Sequence, residues 1–347
     1  WGIDIDDNFI NYPVGGMFWA RPAALKPLLD NTYQYEDFPA EPLPNDGSKL
    51  HALERLLGLL VEKQGFEQFF YYPPLGRFTQ DKTSIASSYY KPAGALLSDL
   101  SNFEIVSFDI FDTVLRRQFH EPDYAKYLLG KELVNQGYFA SPEAFIDARN
   151  NAELTCRQNK DFQGDVCITE AYRQLATDIG VNTDETTKWL EKEFHYDLSM
   201  AMPKDEMVEI VKQLALNKKE IWFVTDIYYT KQQIETMLRK IGIAVPYRLF
   251  VSSDLGKRKD SGTMWTFIKE LVQQANKSHI HVGDNVRSDA QICGDFGLQN
   301  VHILHPEDKW KLAGFSQIAK LDNPSENEIL KWGPQISHFG RYPFFGE

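Results

Sequence analysis

The sequence predicts an α/β protein: a parallel sheet with an all-helical insertion after its first strand, preceded by a small, mainly helical N-terminal segment. Three observations lead there. Five short runs rich in β-branched and aromatic residues, Glu104–Asp109, Glu220–Asp226, Arg248–Asp254, His279–Asp284 and Asn300–Leu304, have the composition of buried strands. Amphipathic stretches near 205–217, 230–241, 262–277 and 287–296 alternate with the later runs, and strands spaced by helices of that length form βαβ units. Between the first two runs, about 90 residues carry only helical patterns, near 122–135, 142–158, 168–179 and 184–197. An all-helical insertion at that point would cover the strand ends as a cap.

The bulk composition narrows the function classes. The chain has 347 residues, 43% hydrophobic and 25% charged, which is that of a globular protein with room for two domains or one with a large insertion. A formal charge of −12 argues against a nucleic-acid backbone as partner and offers nothing to anionic lipid. No stretch reaches the roughly 18 apolar residues of a membrane span. No signal peptide is apparent, and three cysteines, Cys156, Cys167 and Cys293, lack metal-ligand spacing and read as core residues in a reducing, cytoplasmic compartment. The chain opens at Trp1 and not at methionine, as a fragment or a processed protein would.

Residues 1–80 are rich in aromatics and prolines and hold one clear helix, expected from Asn45 to Lys63. Leu50, Leu53, Leu56, Leu57, Leu60 and Val61 share its apolar face, with Asn45, Asp46 or Ser48 as N-cap. Proline, glycine and serine in Tyr71–Ala95 mark connecting chain. The expected organisation is a segment 1–80, a linker 81–102, an α/β domain 103–306 with its cap at 118–200, and a tail 307–347.

In parallel sheets, ligands bind beyond the carboxyl ends of the strands, and the first four runs all end in an acid. In Val106-Ser107-Phe108-Asp109-Ile110-Phe111-Asp112-Thr113-Val114, Asp109 closes the first run, where a carboxylate can attack phosphorus. Thr225, before Asp226, can hydrogen-bond a phosphoryl oxygen. Gly256-Lys257-Arg258-Lys259-Asp260-Ser261-Gly262 supplies cations, of which Lys259 is best placed. Gly283-Asp284-Asn285, with Asp289 beyond, offers oxygen ligands to a hard cation. Taken singly, each has an ordinary structural alternative: helix-capping acids, a strand threonine, solvated lysines.

Together and in this order, the four segments resemble the haloacid dehalogenase superfamily over about residues 103–306. The resemblance implies a Rossmann-like core with a helical cap and Mg²⁺ as cofactor. By position, Asp109 would be the nucleophile, and Thr225 and Lys259 would bind phosphate. The metal would be held by Asp109, Asp284, Asp289 and the main-chain carbonyl of Phe111. One departure stands out. Phosphatases of this superfamily usually carry a general-acid aspartate two residues after the nucleophile, and here that residue is Phe111. General acid catalysis is worth ~10²–10⁴-fold. In extended backbone Asp112 would face the other way, so it is not expected to replace the acid. Dehalogenases also lack that acid but do not need Asp284, so its retention favours phosphate over halide. In the cap, Arg149 and Glu153 lie one helical turn apart, as surface ion pairs do, and His120 and His195 are further candidates for substrate contact.

Residues 11–66 carry a second resemblance. Tyr12-Pro13-Val14-Gly15-Gly16-Met17-Phe18-Trp19-Ala20-Arg21-Pro22, Glu36-Asp37-Phe38, Glu41-Pro42-Leu43-Pro44-Asn45-Asp46-Gly47 and His51-Ala52-Leu53-Glu54-Arg55 look like the end of rhamnan synthesis protein F. That resemblance implies a glycosyltransferase-like setting in bacterial surface polysaccharide, in which Glu36, Asp37 and His51 could act as base or metal ligand. A nucleotide-sugar site would need an α/β half that this segment lacks, so packing and capping are the simpler roles. The combined expectation is a Mg²⁺-dependent phosphatase or phosphotransferase acting on a phosphorylated sugar or glycan. Its location would be cytoplasmic, peripheral to the inner membrane only through partners such as other polysaccharide-assembly subunits. The alternative is a weak or inactive phosphate-binding scaffold in a multi-domain glycan synthase.

Overall fold

A computed structural model describes residues 18–40, 48–72, 77–80, 88–92, 94–315 and 325–345. The described residues fall into two compact units, the first holding residues up to 80 and the second those from 88 onward.

In the first unit, α1 runs Lys49–Lys63 and buries Leu57 and Leu60, whereas Leu50 on the expected apolar face is exposed. Ser48 is its N-cap; His51 Nδ1 lies 2.7 Å from Ser48 Oγ and accepts its amide. Asp37 accepts the Gln34 amide at 3.0 Å. These contacts give His51 and Asp37 the capping roles that compete with catalysis. Asn45, Asp46 and Gly15-Gly16 lie outside the described residues. Part of the expected connecting chain is ordered: β1, Phe70–Tyr72, pairs antiparallel with β2, Arg77–Thr79.

The second unit is built on a parallel sheet of five strands: β3 (Ile105–Phe108), β6 (Glu220–Thr225), β7 (Arg248–Val251), β8 (His279–Gly283) and β9 (Gln299–His302). Their order is β7-β6-β3-β8-β9, every neighbouring pair parallel. The chain therefore leaves central β3 to one side and returns to the other, which opens a crevice at its carboxyl end. β3 and β8 are buried throughout, as strands covered on both faces must be. The third strand stops at Val251, and Ser252–Leu255 turns helical, so Asp254 is an exposed helix residue and not a strand end. Ser252 Oγ bonding to Asp165 and to the Ile227 amide makes that turn.

Two short strands, β4 (Leu115–Arg117) and β5 (Ala201–Pro203), pair antiparallel and form the neck of the insertion. The sequence pattern did not show them, because three residues carry no period. Beyond the neck lie four helices: α2 (Tyr124–Asn135), α3 (Pro142–Asn159), α4 (Ile168–Ile179) and α5 (Thr183–Met200). α2 and α4 each pack on both α3 and α5. Ser141 caps α3 and Asn182 caps α5 by accepting amide hydrogens. Two bonds to Asp197 (2.6 and 2.9 Å) tie Arg117 of the neck to α5, and Tyr229 donates to the same carboxylate at 2.9 Å.

Residues 307–347, read from the sequence as a tail, include the helix α6, Glu326–Phe339, which packs on the neck. Ser337 accepts from Arg116 at 2.8 Å, and Leu304 donates to Pro343 at 3.1 Å. Tyr89, inside the expected linker, is buried and bonds His302 at 2.6 Å. Of the cysteines only Cys293 is buried; Cys156 and Cys167 are partly exposed.

Arg149 departs from the surface ion pair that its spacing suggests. It is fully buried, pairs with both Glu153 and Glu193, and stacks over the Tyr228 ring at 4.5 Å. Tyr172 donates to Glu193 at 2.6 Å. Removing one member of a buried charge network leaves the rest uncompensated. Arg149→Ala should therefore lower stability by about 3–5 kcal/mol in urea unfolding; a loss under about 1 kcal/mol, the value of a surface pair, would contradict this reading.

Candidate active site

The site assembles at the carboxyl ends of β3 and β8. Phe108 is in register with Val282, and the Asp109 amide donates to the Val282 carbonyl at 2.9 Å, so the chain stays in sheet pairing up to the carboxylate. It then folds tightly: the amides of Val114 and Leu115 both return to the Ile110 carbonyl, at 2.9 and 2.8 Å. Asp112 sits in this turn in the left-handed region, φ 54°. The extended backbone assumed for it from sequence is absent, yet its side chain does turn away from Asp109, ending 3.5 Å from His305 Nε2. Lys204, fully buried, holds the turn by donating to the carbonyls of Asp112 (2.8 Å) and Leu304 (2.9 Å).

One carboxylate oxygen from each of Asp109, Asp284 and Asp289 lies within 4.8 Å of the others, and all three residues are buried. Lys259 Nζ donates to Asp109 and to Asp289, each at 2.6 Å. Its competitors point elsewhere: Arg258 pairs with Asp260 and Asp165, and Lys257 faces the Phe267 ring. Asp226 fixes the lysine from behind by accepting its backbone amide at 2.8 and 3.0 Å. Thr225 is buried and its Oγ1 has no hydrogen-bond partner, as a hydroxyl meant for a ligand oxygen would be left. The Phe111 ring lies 4.7 Å from the Arg117 guanidinium, forming an aromatic–cation pair two residues after Asp109.

Two contributors escaped sequence reasoning. Thr113 donates to Asp284 at 2.7 Å and orients it. His281 lies 3.3 Å from Asp289 through Nε2, while its Nδ1 meets Ser107 Oγ at 2.8 Å, forming a buried chain under the site. The signal for His281 was a buried-strand histidine two residues from another, His279, with apolar residues between and after them.

The electrostatics follow from burial. Burial pushes Asp109 well above the ordinary carboxylate range, against the pull of Lys259. Asp284 rises to about 6 for the same reason, with His305 opposing. Burial also acts to raise Asp289, but Lys259 and His281 outweigh it and hold the carboxyl below its usual value. Fully ionised, three carboxylates and one ammonium leave two negative charges in a buried space. A divalent cation is the charge that complements them, and oxygen-only donors suit a hard one.

Comparison with known proteins finds a likeness at one end of the chain. Residues 3–66 match the family model of rhamnan synthesis protein F. A protein of Xanthomonas campestris pv. campestris strain B100, described only as uncharacterized protein WxcX, is 42% identical over 64 residues; the match covers 18% of this chain and 9% of that protein. The chain thus corresponds to a small part of the curated relatives it matches.

Solved structures are similar to the α/β unit. The 2-haloacid dehalogenase of Pseudomonas syringae pv. Tomato DC3000 overlays with 18% identity and TM-score 0.43, covering 59% of this chain and 87% of that one. YfnB of Bacillus subtilis, assigned as a HAD-hydrolase and bound to magnesium, overlays with 15% identity and TM-score 0.39, covering 58% and 88%. A Clostridium difficile protein assigned as a phosphatase overlays with 18% identity and TM-score 0.34, covering 58% and 86%. The architecture expected from the sequence, a Rossmann-like parallel sheet with a helical cap, is present.

Gly283 shows how tightly the carboxylates are set. A Cβ there would lie 2.4 Å from Asp289 Cγ and Oδ2. Gly283→Ala should displace Asp289 from Lys259 and from the Asn285 amide that it accepts at 3.1 Å, costing about 1–3 kcal/mol in chemical denaturation. An unchanged midpoint would show that the carboxylate has room to move.

Proposed function

We propose that the α/β unit is a Mg²⁺-dependent phosphoryl-transfer enzyme, a phosphatase or phosphotransferase working through an aspartyl-phosphate on a phosphorylated sugar or glycan. The supporting observation is the buried convergence of Asp109, Asp284 and Asp289 on one point, with Lys259 bridging two of them. Asp109, Asp284 and Asp289, with the Phe111 carbonyl, would hold Mg²⁺, which when bound neutralises phosphoryl charge beside the nucleophile. Lys259 and Thr225 bind and orient the phosphoryl oxygens. An Asp109 oxygen forms a bond to phosphorus as the bond to the leaving oxygen breaks. Water or an acceptor hydroxyl then takes the phosphoryl group and restores the carboxylate. Phe111 offers no proton, so leaving groups that depart as anions are favoured. The sugar substrate is supported by the rhamnan synthesis match at the N-terminus.

With Mg²⁺, p-nitrophenyl phosphate and a panel of sugar phosphates, the chain should show turnover that Asp109→Asn reduces to background. No turnover above that variant across the panel would overturn the proposal. Phe111 favours one second reading, a phosphate-binding scaffold within a larger synthase; phosphosugar binding without turnover would support it. Nucleotide-sugar binding by this chain is not expected.

The electrostatics add a pH dependence. Asp284 is raised in the folded state to about 6 from 3.8. Its proton therefore stabilises the metal-free protein fully below about pH 4, and that contribution disappears as pH rises through about 6. Mg²⁺ needs the ionised carboxylate. The increase in Tm caused by Mg²⁺ should be large near pH 7.5 and small near pH 5; equal shifts at both would contradict the assignment of Asp284 as a ligand.

A further inference from the structure

The described residues hold a second cluster of metal-ligating side chains, and its chemistry differs from the carboxylate triad. One donor atom from each of Asp112, His120 and His305 lies within 4.8 Å of the others. His305 Nε2 is 3.5 Å from Asp112 Oδ2. His120 Nε2 is 3.9 Å from Glu307 Oε2, and the two imidazole rings stand edge to face with centroids 5.0 Å apart. All four side chains are partly buried, 14–34% exposed, so an ion could enter from solvent while keeping the set ordered. We propose that Asp112, His120 and His305, completed by Glu307, form a site for a zinc-class divalent ion, separate from the Asp109–Asp284–Asp289 triad.

The donor set carries the choice of ion. Two imidazoles with two carboxylates suit Zn²⁺ and its first-row neighbours, whereas Mg²⁺ prefers oxygen donors alone. At Zn–N and Zn–O bond lengths of about 2.0–2.2 Å, tetrahedral donors stand about 3.4 Å apart. The 3.5 and 3.9 Å contacts are close to that spacing, and the donors of Asp112, His120 and His305, which lie within 4.8 Å of one another, close by at most about 1.4 Å.

The backbone around the ligands is independently held. Lys204 pins the carbonyl of Asp112, and the His120 amide donates to Gly333 of α6 at 3.3 Å. His305 precedes a short helix, Pro306–Trp310, whose Glu307 amide faces His305 Nδ1 at 3.3 Å. Binding through Nε2 puts the remaining ring proton on Nδ1 and gives up that long contact. Glu307 also pairs with Lys311 at 2.7 Å through its other oxygen, which leaves Oε2 for the ion. The ligands come from the turn after Asp109, the exit of the neck and the end of β9. An occupied site therefore ties the neck of the cap to the core.

The test uses the full chain carrying Asp284→Asn, which disables the triad and leaves the second cluster intact. Equilibrium dialysis against Zn²⁺ should show one bound equivalent that excess Mg²⁺ does not displace, and Co²⁺ in its place should give the visible bands of a tetrahedral nitrogen and oxygen site. His120→Gln with His305→Gln should weaken Zn²⁺ binding by at least about a hundredfold. Binding unaltered by those substitutions, or no equivalent retained by the Asp284→Asn chain, would overturn the proposal. If the double variant does not fold, as circular dichroism would show, diethyl pyrocarbonate footprinting of the Asp284→Asn chain decides. Zn²⁺ should protect His120 and His305 from modification, and modification unchanged by Zn²⁺ would overturn it. Because these readouts measure binding and not phosphoryl transfer, their failure is distinguishable from failure of the proposed function.

Discussion

The contact on which the rest of the α/β unit depends is the Lys259 ammonium between Asp109 and Asp289. Parallel pairing of β3 with β8 brings their carboxyl ends level, so acids that follow each strand must meet. Buried like charges repel strongly unless compensated. The lysine supplies the first compensation, and Asp226 holds it there through its backbone amide. The surrounding features serve the same end. Gly283 clears space for Asp289, Thr113 orients Asp284, and His281 with Ser107 supports Asp289 from below.

The neck and cap follow a second constraint. Arg117 joins three parts at once: it lies over Phe111, grips Asp197 on α5, and through that carboxylate reaches Tyr229 in the loop after β6. The aromatic ring of Phe111 thus serves cap attachment through Arg117. The same region contains Arg149 over Tyr228, so the cap meets the core in part through buried charged groups. The Arg149–Glu193 part of this region keeps two buried atoms, Arg149 Nη2 and Glu193 Oε1, without a hydrogen-bond partner, which makes that network costly to disturb.

Much of this was legible because strands and long helices announce themselves by composition and period. The cap helices begin and end within a few residues of their expected bounds: α4, expected near 168–179, runs Ile168–Ile179. What escaped was short or non-local. The neck strands have three residues each, the helical turn at Ser252–Leu255 depends on a serine meeting Asp165 from the cap, and α6 lies in a stretch taken as a tail. Arg149 and Glu153 show the same limit, since an i,i+4 spacing reads alike on a surface and in a core.

By itself the sequence determined the α/β pattern, the order of Asp109, Thr225, Lys259 and Asp284 along it, and the absence of an acid at Phe111, because these are properties of residue type and spacing. Only the tertiary structure decided which of three adjacent cations reaches Asp109, what orients Asp284 and Asp289, and that Asp112 turns away to meet His120 and His305. Those outcomes depend on strand register and on a left-handed turn at one residue. Side chains distant in the chain become neighbours only once the backbone has closed around them.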